Sequence, residues 1–141
     1  MQYSAYLFFD GNCAEAIRFY ENTFGGKIEL LMKHADGPAT TEAGTLPPGA
    51  ADLVMHARLA FSGGILMASD WMPGQAHPGM HGFALSLSYP TVAEARKIFD
   101  ALADGGKVSM PFEEAFWVEA FGMVTDRFGT PWMINGGKSK V

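Results

Sequence analysis

The chain has 141 residues, room for one domain with a substantial core and too few for two full-sized ones. Hydrophobic residues make up 48% and charged residues 18%, a globular balance, and 15 acidic against 10 basic residues leave a formal charge of −5. That charge offers no basic stripe to nucleic acid and disfavours anionic membrane surfaces. A single cysteine, Cys13, forbids an intrachain disulfide and any cysteine-rich zinc site. With no basic leader and no apolar run of bilayer length, a cytoplasmic setting is expected.

In chain order, strand signals near 3–9 lead to a helix over 12–23, a strand over 27–34 and a hairpin of strands near 53–61 and 65–70. The order then returns, with strands near 83–89, 107–113, 116–125 and 131–135 and a helix over 92–104. Asn12-x-x-Glu15 and Thr91-x-x-Glu94 have capping-box spacing, so each helix is expected to start on its own side-chain cap. Gly25 and Gly105 end the two helices. Ala16, Ile17, Phe19, Tyr20 and Phe24 form one helical stripe, and Val92, Ala95, Ile98, Phe99 and Leu102 form the other. In the strand near 83–89, Ala84, Ser86 and Ser88 alternate with Leu85, Leu87 and Tyr89, giving one small polar face and one packed face. Ser62-Gly63-Gly64 and Asp126-Arg127-Phe128-Gly129 are the hairpin turns. Ala35 to Asp52 and Trp71 to Gly82 read as irregular, either lids over a site or variable surface.

The two halves repeat in sequence as well as in order. Ala14-Glu15-Ala16 recurs as Ala93-Glu94-Ala95, and Gly25-Gly26-Lys27-Ile28 as Gly105-Gly106-Lys107-Val108. The predicted class is therefore α+β, with tandem βαβββ units over about 1–72 and 81–137.

The run Phe9-x-Gly11-Asn12-Cys13-x-Glu15-Ala16-x-x-Phe19-Tyr20, followed by Phe24-Gly25-Gly26, resembles the PhnB-like branch of the vicinal oxygen chelate superfamily, which includes glyoxalases, bleomycin-resistance proteins and extradiol dioxygenases. Trp117, Gly122 and Asp126-x-Phe128-Gly129-x-x-Trp132-x-Ile134 are similar to the closing motif of that branch. The resemblance implies a single domain over 1–141, a curved mixed sheet around a cavity with the helices outside, and a homodimer. Some relatives carry a demethylubiquinone methyltransferase label. No glycine-rich loop between a strand and a helix supports methyl transfer here.

Superfamily enzymes of the glyoxalase kind hold one divalent metal on the first and last strands of each unit. The resemblance places those positions at Ala5, Met67, Ala84 and Met133, where methyl and thioether groups are poor donors, so neither metal nor other cofactor is expected. Pairing the first hairpin about Gly63 sets Arg58 opposite Met67 and His56 opposite Ser69. Pairing the second sets Met133 opposite Met123, with Phe121, Glu119 and Trp117 continuing that face. The expected ligand-binding residues are thus Arg58, Met67, Ser69, Trp71, Ser86, Trp117, Phe121 and Met133, an apolar and aromatic lining suited to a flat small molecule.

Single residues keep two readings. Arg58 can hold an anionic ligand or pair with Glu119. His56 and Glu119 are the candidate catalytic groups, by general acid-base chemistry, or structural hydrogen-bonding groups. Cys13 is a reactive thiolate at a helix start or a packed core residue, with packing favoured. The preferred function is metal-free binding of a small apolar or aromatic molecule. The alternatives are a small-molecule lyase, isomerase or dioxygenase-like enzyme, metal-dependent or using His56 and Glu119, and a collapsed core serving only assembly.

Overall fold

The computed structural model describes residues 1–37, 40–41 and 44–141. It divides into two compact units, Met1–Pro78 and Gly79–Val141.

In the first unit, β1 (Ala5–Phe9) leads to α1 (Cys13–Phe24), then β2 (Lys27–Lys33), a short 3₁₀ turn (His34–Asp36), the small hairpin β3 (Thr40–Thr41) and β4 (Gly44–Thr45), and the long hairpin β5 (Val54–Phe61) and β6 (Gly64–Asp70). Strand order in the main sheet is β1-β6-β5-β2, with β1 parallel to β6 and the other pairs antiparallel. The second unit repeats the plan with β7 (Leu85–Tyr89), α2 (Val92–Ala103), β8 (Lys107–Glu113), β9 (Val118–Thr125) and β10 (Pro131–Ser139), in the order β7-β10-β9-β8. These are the two tandem βαβββ units that the sequence predicts. The stretch expected to be irregular from Ala35 holds the 3₁₀ turn and the small hairpin; its residues 38–39 and 42–43 lie outside the described residues.

Each helix covers one face of its own sheet. In the first unit Leu7, Phe9, Ala57, Leu59, Leu66 and Ala68 are buried on that face beneath Cys13, Ala16, Ile17 and Tyr20. In the second unit Ala95, Phe99 and Leu102 lie over Ala120, Val124, Trp132 and Ile134. Alternation along the strands then sends the intervening residues to the opposite, uncovered face.

The helix starts differ from expectation on one side. Thr91 accepts the Glu94 N–H at 3.2 Å, as a cap should. Asn12 makes no cap hydrogen bond, and its Oδ1 is buried without a partner among the described residues. The buried carboxylate of Asp70, at the end of β6, accepts the Cys13 N–H at 2.9 Å through Oδ1 and the Val54 N–H at 2.8 Å through Oδ2. A full negative charge at the helix N-terminus complements the dipole better than an amide does. Asp126 has the matching role at the β9–β10 turn, accepting from Phe128 N, Thr130 N and Trp132 Nε1.

Candidate functional site

The uncovered face of the first sheet is built from residues alternating with the core. The register pairs Arg58 with Met67, as the turn at Gly63 requires, and pairs Met67 with Tyr6 across the parallel strand. Ala5 pairs with buried Leu66 and belongs to the helix-covered face. The residue that stands beside Met67 is Tyr6. Three residues join β1 to α1 and two join β7 to α2, so the helix frame, which carries 84 to 5, slips by one, and the strand frame carries it to 4, at the parity of Tyr6. In the second unit Met133 pairs with Met123 and with Ser86, and Ala84 precedes β7 at the parity of Ser86.

A catalytic divalent ion needs imidazole, carboxylate or thiolate donors. Tyr6 with Met67, and Ser86 with Met133, supply a phenol, an alcohol and two thioethers. Among the described residues, no three His, Cys, Asp or Glu side chains come together to hold a metal ion. The residues present do not fit the family's metal.

Rings run in an unbroken row on the first unit. Tyr6 stacks on His56 at 5.7 Å between centroids and donates from its hydroxyl toward His56 Nδ1, or accepts from it, at 3.1 Å. Tyr6 lies 5.1 Å from Phe8, and Phe8 meets Trp71 edge to face at 5.4 Å and 81°. Trp71 meets His77 edge to face at 5.8 Å, and His77 Nε2 reaches the Phe8 carbonyl at 2.8 Å. Trp71 is further fixed by its backbone N–H to Phe9 O at 2.7 Å, so the start of the supposed lid is anchored to β1.

Beside this row lies a cavity of ≈ 240 Å³. Phe8, Trp71, Met55 and Met72 form its apolar walls; Ser69, His34 and Gln75 add polar groups, and Asp70 completes the lining. Both Asp70 oxygens are engaged by backbone N–H groups, which leaves that wall electrostatically quiet. A second cavity of ≈ 280 Å³ lies in the other unit, where Trp117 packs edge-on against Phe116 and Phe121, with Met110 and Pro111 opposite.

The expected site residues are thus distributed. Ser69 and Trp71 line the first cavity, Trp117 and Phe121 the second, while Arg58, Met67, Ser86 and Met133 sit on the strands beside them. The ion pair of Arg58 lies within its own unit: its Nε bonds Glu29 Oε1 at 2.8 Å on neighbouring β2. Glu119 Oε1 accepts the Lys138 N–H at 2.7 Å, over Gly137 at φ +85°. His56 bonds Tyr6, with Ser69 left to the cavity. Cys13 is fully buried, and burial with the nearby Asp70 charge pushes its thiol up to about 12, so it stays neutral. Tyr6 and Phe8 were missed because β1 is apolar on both faces and no turn fixes a parallel register, whereas Met55 and His77 come from β5 and from the segment after β6, which only folding brings to β1.

Residues 3–134 match the family model for the Glyoxalase/Bleomycin resistance protein/Dioxygenase superfamily. The chain is 39% identical to protein YjdN of Escherichia coli (strain K12), across 96% of this chain and 95% of that protein. It is 42% identical to protein PA1353 from Pseudomonas aeruginosa, whose crystal structure superposes with a TM-score of 0.88 over 97% of this chain and 98% of that one. A PhnB protein from Bacillus cereus, described as a candidate 3-demethylubiquinone-9 3-methyltransferase, shares 21% identity and the fold, with a TM-score of 0.78 over 96% and 98% of the two chains.

Proposed function

The chain belongs to the Glyoxalase/Bleomycin resistance protein/Dioxygenase superfamily, and we propose that it binds a small apolar or aromatic molecule directly, with no metal between protein and ligand. The observation that carries this reading is the chemistry of the uncovered strand positions: Tyr6 beside Met67 and Ser86 beside Met133, next to cavities walled by aromatic and thioether groups. Such walls favour burial of a flat apolar body, with a few polar groups to orient it. Methyl transfer, the activity named for the Bacillus cereus protein, finds no support in a glycine-rich cofactor loop here.

A thermal-shift panel of metabolites and antibiotics tests the proposal. A compound at 100 times its Kd stabilises by about 2.7 kcal/mol, enough to raise Tm by several degrees. No shift with any compound would favour a purely structural role. A second reading, catalysis, is favoured by the Tyr6–His56 hydrogen bond, since a phenol bonded to imidazole can pass a proton. For any compound that is turned over, His56→Gln should then lower kcat while binding persists. Glu119 is a weaker partner in that chemistry because its carboxylate already accepts a backbone N–H.

The protein is further proposed to be a cytoplasmic homodimer. The exposed apolar side chains Leu30 on edge strand β2 and Val108 and Met110 on edge strand β8 support assembly, and the buried free Cys13 suits a reducing compartment.

A further inference from the structure

The first unit contains two polar atoms that are buried and unpaired among the described residues, Asn12 Oδ1 and the indole nitrogen of Trp71. Trp71 also lines the cavity. Trp132, buried in the other unit, shows the usual arrangement, its Nε1 donating to Asp126 Oδ2 at 2.8 Å. Trp71 is held by its own backbone bond to Phe9 O and by ring contacts with Phe8 and His77, so the missing partner is not a matter of a loose side chain.

We infer that the corner between Phe8 and Trp71 is a subsite for a single-ring aromatic compound bearing a neutral hydrogen-bond acceptor, to which the Trp71 indole N–H donates. This rests on the binding reading above and names its ligand class. Two aromatic walls at 81° let one ring stack on the first and meet the edge of the second. The volume, ≈ 240 Å³, lies below the ~300 Å³ at which pockets begin to take drug-sized molecules, which limits the guest to about one ring. Among the described residues no lysine or arginine lines the cavity to hold a carboxylate, and the chain's net charge of −5 disfavours an anion further, so a carbonyl or ether oxygen is the acceptor that fits. Because the N–H is desolvated before any ligand arrives, an acceptor gains the bond without a fresh desolvation cost at that atom. The indole nitrogen is covered in the free protein, so neighbouring side chains must move for an acceptor to reach it, and the same cavity has two flexible thioether chains, Met55 and Met72, in its walls.

The test uses the ¹⁵N-labelled full chain, acetophenone as the probe, and α-methylstyrene as its shape match with a methylene in place of oxygen. Three indole N–H signals are expected, from Trp71, Trp117 and Trp132, and Trp71→Phe assigns the first by its loss. Acetophenone should move the Trp71 indole proton downfield, and Trp71→Phe should weaken acetophenone roughly tenfold while leaving α-methylstyrene within about twofold. Unchanged backbone amide signals from α1 and β2 of the first unit certify the variant's fold; if the variant does not fold, the wild-type proton shift decides alone. Equal binding of both probes with a stationary Trp71 proton overturns the hydrogen-bond inference and leaves aromatic binding standing. Failure of both probes to bind overturns the subsite, while the reading beneath it stands or falls on the thermal-shift panel.

Discussion

Two buried aspartates carry much of the local order, and neither was visible as such from sequence spacing. Asp70 joins the start of α1 to the start of β5, and Asp126 ties the β9–β10 turn to Trp132. Hydrogen bonds from backbone N–H to a buried carboxylate are worth more than neutral ones, so Asp70→Ala should cost about 2–4 kcal/mol in urea unfolding. The Asp126-x-Phe128-Gly129-x-x-Trp132 motif was readable, but as a family mark; its physical content is one carboxylate serving three donors. Asn12 was misread because spacing identifies a possible cap and cannot see an acceptor 57 residues along the chain. Cys13 makes a prediction in pH. Its folded pKa is raised from 9.0 to about 12, so its contribution to stability is complete below pH 9 and is lost as pH climbs toward 12. Over that window the urea midpoint of the wild type should fall more steeply than that of Cys13→Ala.

At the scale of elements, helix and sheet meet through glycines. A methyl group at Gly136 of β10 would stand 2.6 Å from the Ala95 Cβ of α2, and one at Gly122 of β9 would stand 2.7 Å from the Phe99 ring and 2.9 Å from the Phe112 Cα. Gly136→Ala and Gly122→Ala should each destabilise by about 1–3 kcal/mol, measured by chemical denaturation, because the opposing atoms are backbone or packed core. The boundaries of these elements were largely legible, since capping residues, turn glycines and alternation agree with one another. Antiparallel register was legible too: the turn at Gly63 sets Arg58 against Met67, and the second turn sets Met133 against Met123. Parallel register was not, for the opposite reason. No tight turn links β1 to β6, and the one-residue difference between the two linkers put the expected site position at Ala5, off the parity of Tyr6.

For the molecule as a whole, each unit ends in an edge strand that shows apolar side chains to solvent, β2 with Leu30 and β8 with Val108 and Met110. Sedimentation should therefore give a dimer, and Met110→Lys should shift it toward the 15.2 kDa chain if β8 lies in the interface. The repeated plan was legible because the sequence repeats; the ligand was not, because the first cavity draws on β1, the 3₁₀ turn, β5, β6 and the segment after β6, joined only by folding. The account depends most on Tyr6, Met67, Ser86 and Met133 standing where metal donors would be needed. Metal content of protein purified without chelator, read by inductively coupled plasma mass spectrometry, tests it directly. Nickel, zinc, iron and manganese are each predicted far below one equivalent per chain, and one equivalent of any of them, retained through dialysis, would contradict it.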